Sequence, residues 1–312
     1  VILYVLVMIS PQQKQTHEYF SREAFGWRQK ADGSSEEQPF NVIEARNNYA
    51  LNVASSIPSI GPVLDVGCGT GELVCDLARK GIPAIGIDFS EEMILLCRQK
   101  AYDEKVEEAI FECVSFFDYT ATQQFGLIVA NGFIEYISPE ELNKFLERSR
   151  RMLAKNGKLV VGSRNRLFNV FSLNDYTRME IDAQCIDALL REALVIAQAK
   201  SVSEAIQILG DQDATISRSD HHPSTGIEVQ TRYQYTPGEL VHIFHKSGFA
   251  VEDLYPVHYH GVTPRLKDDY PELHASIANA IQENAAQYFY GIPYSSTFMV
   301  QARSAKYFTP LS

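Results

Sequence analysis

Several features are missing from this 312-residue chain, and each absence removes a class of function. There is no Lys/Arg-rich run of five or more, and 28 basic against 39 acidic side chains leave a net charge of −11. Such a surface repels a nucleic-acid duplex or an anionic membrane, so neither is an expected partner. No apolar stretch reaches the ~20 residues of a membrane span. The opening VILYVLVMI has nine, with neither a basic leader nor a small-residue cleavage site, and Met8 inside it is the expected start of translation. The five cysteines form no C-x-x-C pair and sit mostly in apolar stretches, which reads as buried thiols in a reducing, cytoplasmic compartment. No H-E-x-x-H or carboxylate-bracketed histidine pair occurs, so no metal is expected. Internal repeats and low-complexity tracts are absent too.

What is present is ordinary globular material: 45% hydrophobic and 21% charged residues, enough for one large domain or two small ones. Residues 14–57 carry helical patterning through Tyr19, Phe20, Phe25, Trp27, Val42, Ile43, Tyr49, Leu51 and Val53, broken by ADGSSEEQP, which predicts two helices and a polar loop. From Val63 the pattern changes to short apolar runs alternating with amphipathic stretches, the mark of βαβ units and a parallel sheet. Strands are predicted at 63–66, 84–88, 110–115, 127–131 and 158–163, with helices near 71–80, 90–102 and 139–154. The last helix should end at Lys155-Asn156-Gly157, with the glycine left-handed. Two later strands are expected at 249–257 and 296–302, preceded by a helix that Thr236 caps and Pro237 begins. About 70 residues, 165–235, are too many for a simple connection; periodicity over 178–209 predicts a helical insert over one sheet edge, followed by an exposed polar loop.

The chemistry-bearing segment is Asp65-Val-Gly-Cys-Gly-Thr-Gly71, directly after the first strand and opening the next helix. Three alternate glycines let the chain turn sharply and bring its backbone against a ligand. The G-x-G-x-x-G spacing that seats a dinucleotide pyrophosphate is not there, nor is the G-K-[ST] of a P-loop. Asp88 closes the second strand about 20 residues downstream, where doubly wound folds place a carboxylate that accepts both ribose hydroxyls. The two features together specify an adenosine ligand without a large phosphate group.

On DVGCGTG (65–71), GIDFSEEM (86–93), VSFFDY (114–119), FGLIVANGFIEYI (125–137) and LAKNGKLVVGS (153–163), the chain resembles the class I S-adenosylmethionine-dependent methyltransferases of the small-molecule type. The resemblance implies an α/β, Rossmann-like fold with a seven-stranded, mostly parallel sheet, an N-terminal helical cap and a helical lid insert. It implies a tail and cap over 1–57, a cofactor-binding core over 58–164, an acceptor lid over 165–235 and the rest of the core sheet over 236–312. Carried over residue by residue, Asp65 would hold the amino group of S-adenosylmethionine, Gly67, Gly69 and Gly71 would flank its methionine part and sugar, and Asp88 would bind the ribose. Phe89 and Met93 would pack on the adenine, with Thr70 and Ser90 in the same two motifs. The acid that the family often places after the third strand is replaced by Ser115 followed by Phe116. Asn131 and Gly132 stand where the family exposes backbone to the sulfonium end, and Tyr19, Trp27 and Arg46 are candidates to close over the cofactor.

Methyl transfer needs alignment of two reactants and management of one proton. Glu135 and Tyr136 after the fourth strand are candidates for that proton, as are His221, in the His221-His222 pair, and His260, in His258-x-His260, both at the expected carboxyl edge of the sheet. Arg164, Arg166 and Arg232 could clamp an anionic acceptor, with Tyr rings stacking on a sugar or other ring. The expected activity is transfer of a methyl group to O or N of a small metabolite, a carbohydrate or lipid-linked intermediate among the options. A non-catalytic S-adenosylmethionine-binding module is the alternative, followed by a nicotinamide-dependent oxidoreductase.

Overall fold

The structure is a computed structural model that describes residues 10–31, 40–211, 229 and 232–305. Seven strands form one sheet in the order β3-β2-β1-β4-β5-β7-β6, parallel except that β7 runs against both of its neighbours. The strands are β1 (Val63–Val66), β2 (Ala84–Asp88), β3 (Ala109–Cys113), β4 (Phe125–Asn131), β5 (Leu153–Arg164), β6 (Phe249–Tyr259) and β7 (Ser295–Ser304). Two helices, α1 (Pro11–Ala31) and α2 (Val42–Ser56), precede the sheet, and α3 (Glu72–Arg79), α4 (Glu91–Asp103) and α5 (Pro139–Met152) cross between its first five strands. After β5 come α6 (Phe168–Ser172), α7 (Asp175–Asp182), α8 (Ile186–Gln198), α9 (Val202–Asp211) and α10 (Pro237–Lys246); α11 (Pro264–Asp269) and α12 (Pro271–Gln282) join β6 to β7.

The central strands read as unbroken apolar runs because helices cover both faces of the sheet. Alternation along β4 divides them. Leu127 and Val129 join α2 and α3 in one core, while Ile128 and Ala130 join α5, α8 and α10 in the other. The strand order reverses between β1 and β4, so the loops that leave their carboxyl ends part there and open a crevice.

Local chemistry sets the boundaries. Ser138 caps α5 in a reciprocal box with Glu141, and Thr236 with Glu239 does the same for α10. α5 ends at Met152, before the expected stop, and within the first residues of β5 it is Asn156, at φ 67°, that takes the left-handed conformation expected of Gly157, where the register with β4 shifts. The helical insert predicted over 178–209 consists of three helices: Gln184 turns left-handed at φ 58°, and Ser201 accepts from the Glu204 amide to start α9. Cys113 departs from the buried-thiol expectation, lying exposed on the sheet's edge strand; the other four cysteines are buried.

Arg166 is not available as an acceptor clamp. Its Nε and Nη2 donate to the Glu180 carboxylate at 3.0 and 2.8 Å, and Nη1 reaches Glu239 at 3.5 Å, all buried. With Asn169, which also donates to Glu180 at 2.9 Å, it ties α7 and α10 to the end of β5. Met8, His221 and His222 lie outside the described residues.

Candidate active site

The crevice at the switch point holds about 1300 Å³ of space including its open mouth. Its floor is the glycine loop. Gly71 stands at φ 84° at the start of α3, and a Cβ there would come within 2.8 Å of the Phe111 ring, so both the turn and the packing require glycine. The Gly69 amide donates to Asp88 Oδ2 at 3.2 Å and the Ser90 amide to Oδ1 at 2.9 Å, which fixes the carboxylate at the end of β2. Ser90 is also the cap of α4, accepting from the Met93 amide. Thr70, likewise buried, donates its hydroxyl to Glu72 at 2.8 Å.

Asp65 and Asp88 are both buried. Burial pushes Asp88 up to about 6 against the hydrogen bonds from Ser90, Gly69 and Phe89 that favour its charge. Burial also raises Asp65, to about 8, and the charges of Asp88 and Glu72 add to the rise. Two confined acids thus face a cleft with no ion-pair partner among the described residues. A ligand that brought an ammonium group to one and hydroxyl donors to the other would fit them.

Phe89, Met93, Ser115 and Phe116 line the cleft beside Asp88. The Ser115 hydroxyl accepts from the Phe117 amide at 3.3 Å, so it also braces its own turn. Helix α1 roofs this side: His17 packs on Phe89 with ring centroids 5.1 Å apart, and the Ser21 and Ser90 hydroxyls meet at 3.1 Å. Trp27 and Arg46 reach the cleft as expected for closing residues, whereas Tyr19 packs beside it with Tyr136 and Val229. Gln13, and Phe20, which the sequence reading named only for helical patterning, line it with Trp27; their seven-residue spacing is the signal that marks one helix face.

At the other end, Asn131 and Gly132 leave β4. Gly132, at φ 70°, would place a Cβ 2.7 Å from Arg46 Nη1, so a side chain there would displace that guanidinium. Asn131 donates to Asn47 Oδ1 at 2.9 Å, and its own Oδ1 is buried without a partner among the described residues. Glu135 is 1% exposed and sits between two guanidinium groups, accepting from Arg232 Nε at 2.6 Å and facing Arg46 Nη2 at 3.7 Å. This corrects its reading as a free base: both oxygens are committed to arginines. Arg232 in turn lies over the Tyr136 ring, 5.5 Å from its centroid, rather than reaching for an acceptor. Burial raises the Tyr136 phenol well above its ordinary value, so at neutral pH this group is a hydroxyl and not a proton acceptor. Arg46 also donates to Thr297 Oγ1 at 3.1 Å, which links α2 to β7.

His260 does not line the cleft. Burial lowers it to about 3, and His274, Lys267 and Arg164 add to the shift, which removes it from the near-neutral base role expected of it. It belongs to a separate cluster with His258 and His274 at the far edge of the sheet. The clamp candidate Arg164 acts electrostatically on both places, on His260 and on the Glu135 group.

A strand order of β3-β2-β1-β4-β5-β7-β6 with an antiparallel β7, a glycine loop after β1 and an acid closing β2 is the Rossmann-like fold seen in solved class I methyltransferases. Residues 63–157 match the family model described as a methyltransferase domain. The ubiquinone biosynthesis O-methyltransferase of Bradyrhizobium diazoefficiens is 33% identical over 129 residues, covering 41% of this chain and 48% of that protein. The protein of the same name from Nitrobacter winogradskyi is 30% identical over 129 residues, covering 41% and 46%. The chain thus spans about half the length of the curated relatives it matches. Among solved structures, the CcbJ methyltransferase from Streptomyces caelestis superposes with a TM-score of 0.54 at 16% identity, over 93% of this chain and 98% of that one. Magnesium protoporphyrin IX methyltransferase from Synechocystis PCC 6803, with bound S-adenosylhomocysteine, gives 0.53 at 13% identity with the same coverage. At these identities the likeness is one of fold. No helix among the described residues is long and apolar enough to cross a membrane.

Proposed function

We propose that this chain methylates an O or N atom of a small metabolite, using S-adenosylmethionine held in the crevice between β1 and β4. The observation that carries the reading is the pair of buried acids beside the glycine loop, both raised by confinement and both facing the cleft. Asp65 would take the ligand's amino group and Asp88 its ribose hydroxyls, with Phe89, Met93 and Phe116 against the adenine and Asn131 and Gly132 toward the methionine end. When bound, S-adenosylmethionine supplies an electrophilic methyl on a sulfonium. The protein's share is alignment and exclusion of water: α1 roofs the cleft, and Glu135 holds Arg46 and Arg232 in place at the acceptor end. Neither arginine is free to grip a pyrophosphate, which weighs against a nicotinamide ligand. The matched relatives named for O-methylation support oxygen as the acceptor atom, and the acidic surface supports a small acceptor in place of nucleic acid. Free thiols fit a cytoplasmic setting.

Calorimetric titration with S-adenosylmethionine, S-adenosylhomocysteine and NAD tests the cofactor assignment. Saturable binding of the first two and not of NAD is the expected result, followed by labelled-methyl incorporation from metabolite extracts. Binding without transfer to any extract would favour a non-catalytic module, and binding of NAD alone would overturn the assignment.

The acids also predict a pH dependence. Both must be ionised to pair with the ligand, and both are raised in the free protein, to about 6 and about 8. Affinity for S-adenosylhomocysteine should therefore fall as pH falls, by at least about tenfold between pH 7.5 and 5.5, because each unit by which pH lies below a required carboxylate's pKa costs up to ~1.4 kcal/mol. Stability of the free protein should move the other way over this window. The unfolded chain binds fewer of these two protons, so raising the pH removes stability. A flat binding profile would mean that neither acid contacts the ligand.

A further inference from the structure

We propose a second site: a mononuclear site for a divalent transition metal, formed by His258, His260 and His274 at the carboxyl end of β6. His258 and His260 alternate at the strand's end, and α12 brings His274 against them from 14 residues beyond His260. One nitrogen from each ring lies within 4.8 Å of the other two. His258 Nε2 and His274 Nε2 are 2.8 Å apart, and the three ring centroids are separated by 4.3, 4.7 and 5.1 Å.

Three further observations distinguish this cluster from histidines that merely fill a core. First, the hydrogen-bond accounting does not close: both ring nitrogens of His260 and Nδ1 of His274 are buried with no partner among the described residues. A buried imidazole nitrogen without a partner costs free energy, so an absent ligand is the economical explanation. Second, His258 adopts φ 60°, a left-handed conformation uncommon for a residue with a Cβ, at the point where the ladder between β6 and β7 skips a residue. Its backbone amide is held there by Gln282 Oε1 at 3.0 Å, from the same helix that delivers His274. Third, the outer contacts are those of an oriented ligand: His258 Nδ1 lies 2.9 Å from Ser296 Oγ, which leaves Nε2 to face the cluster, and Phe40 stacks on the His258 ring at 4.8 Å and 7°. Phe168 packs on His260 at 4.5 Å.

Three imidazoles without a carboxylate select zinc, copper, nickel or iron over magnesium or calcium, which take oxygen ligands. Lys267 and Arg164 act on the cluster as positive charges and Asp268 as a negative one, so ligation by the imidazoles carries most of the hold on the ion. A three-histidine set leaves a coordination position for water or an anionic oxygen. The site does not depend on the methyl-transfer reading, because none of its residues lines the crevice.

The test uses the full, untagged chain. Elemental analysis after expression with zinc should find about one equivalent. The protein stripped by chelator should then bind cobalt(II) with visible ligand-field bands, unaffected by millimolar magnesium. His260→Ala and His274→Ala should each weaken cobalt binding at least tenfold, whereas His245→Ala, on the exposed end of α10, should not. His260 is only half-buried, so its variant keeps the test valid if His274→Ala fails to fold. No cobalt spectrum in the wild-type chain, or uptake unchanged in His260→Ala, would overturn the proposal.

Discussion

Replacing Asp88 by Ala is expected to weaken S-adenosylhomocysteine binding tenfold to a hundredfold, measured calorimetrically at pH 7.5. The carboxylate is buried and fixed by two backbone amides, so its remaining lone pairs are pre-oriented. A hydrogen bond to a charged group contributes ~1.5–3 kcal/mol, and the ribose would supply two donors. The same substitution frees the Gly69 and Ser90 amides, which loosens the glycine loop. Asp88→Asn separates the two effects, since its side-chain oxygen can still accept one amide bond. It should recover part of the folded stability but little of the affinity. Unchanged affinity in both variants would remove Asp88 from the ribose.

The parts of this molecule legible in the sequence are those that local chemistry decides. β1 and β2 fall where apolar runs with turn residues put them, because strands covered on both faces carry no polar alternation to obscure them. The glycine loop and Asp88 were legible because the turn, the helix start and the acid are fixed by short-range geometry. Thr236 with Pro237 announced α10 for the same reason. Helix boundaries inside the insert were not: the break at Gln184 is a left-handed residue that carries no glycine or proline to mark it. Least legible were sites assembled from distant segments. Glu135 meets Arg46 and Arg232 across intervals that no spacing rule covers, and a surface helix carrying His274 has no local reason to point it at His258. The expectation of no metal rests on spacing, which searches one segment at a time, whereas the three-histidine cluster is tertiary.

The largest effect on stability is expected from Glu135→Ala. Glu135 is buried between two guanidinium groups, and Arg46 is itself held below its ordinary value by burial, with Glu135 opposing that shift and Arg232 adding to it. Without the carboxylate, two buried cations would face each other unpaired. Removing one partner of a buried ion pair costs about 3–5 kcal/mol, because the remaining charge keeps its desolvation penalty. Denaturant unfolding should show a loss of that size, with an unchanged slope if the native state stays compact. Arg232→Ala should cost less, since Glu135 keeps Arg46, and the double variant should cost less than the two single losses together, by about 0.5–3 kcal/mol. A loss below about 1 kcal/mol in Glu135→Ala would mean that water replaces the carboxylate and that the group is open to solvent. In that case Arg46 and Arg232 would be free to turn toward an acceptor, and an anionic substrate would be favoured over the neutral oxygen or nitrogen that the paired geometry supports.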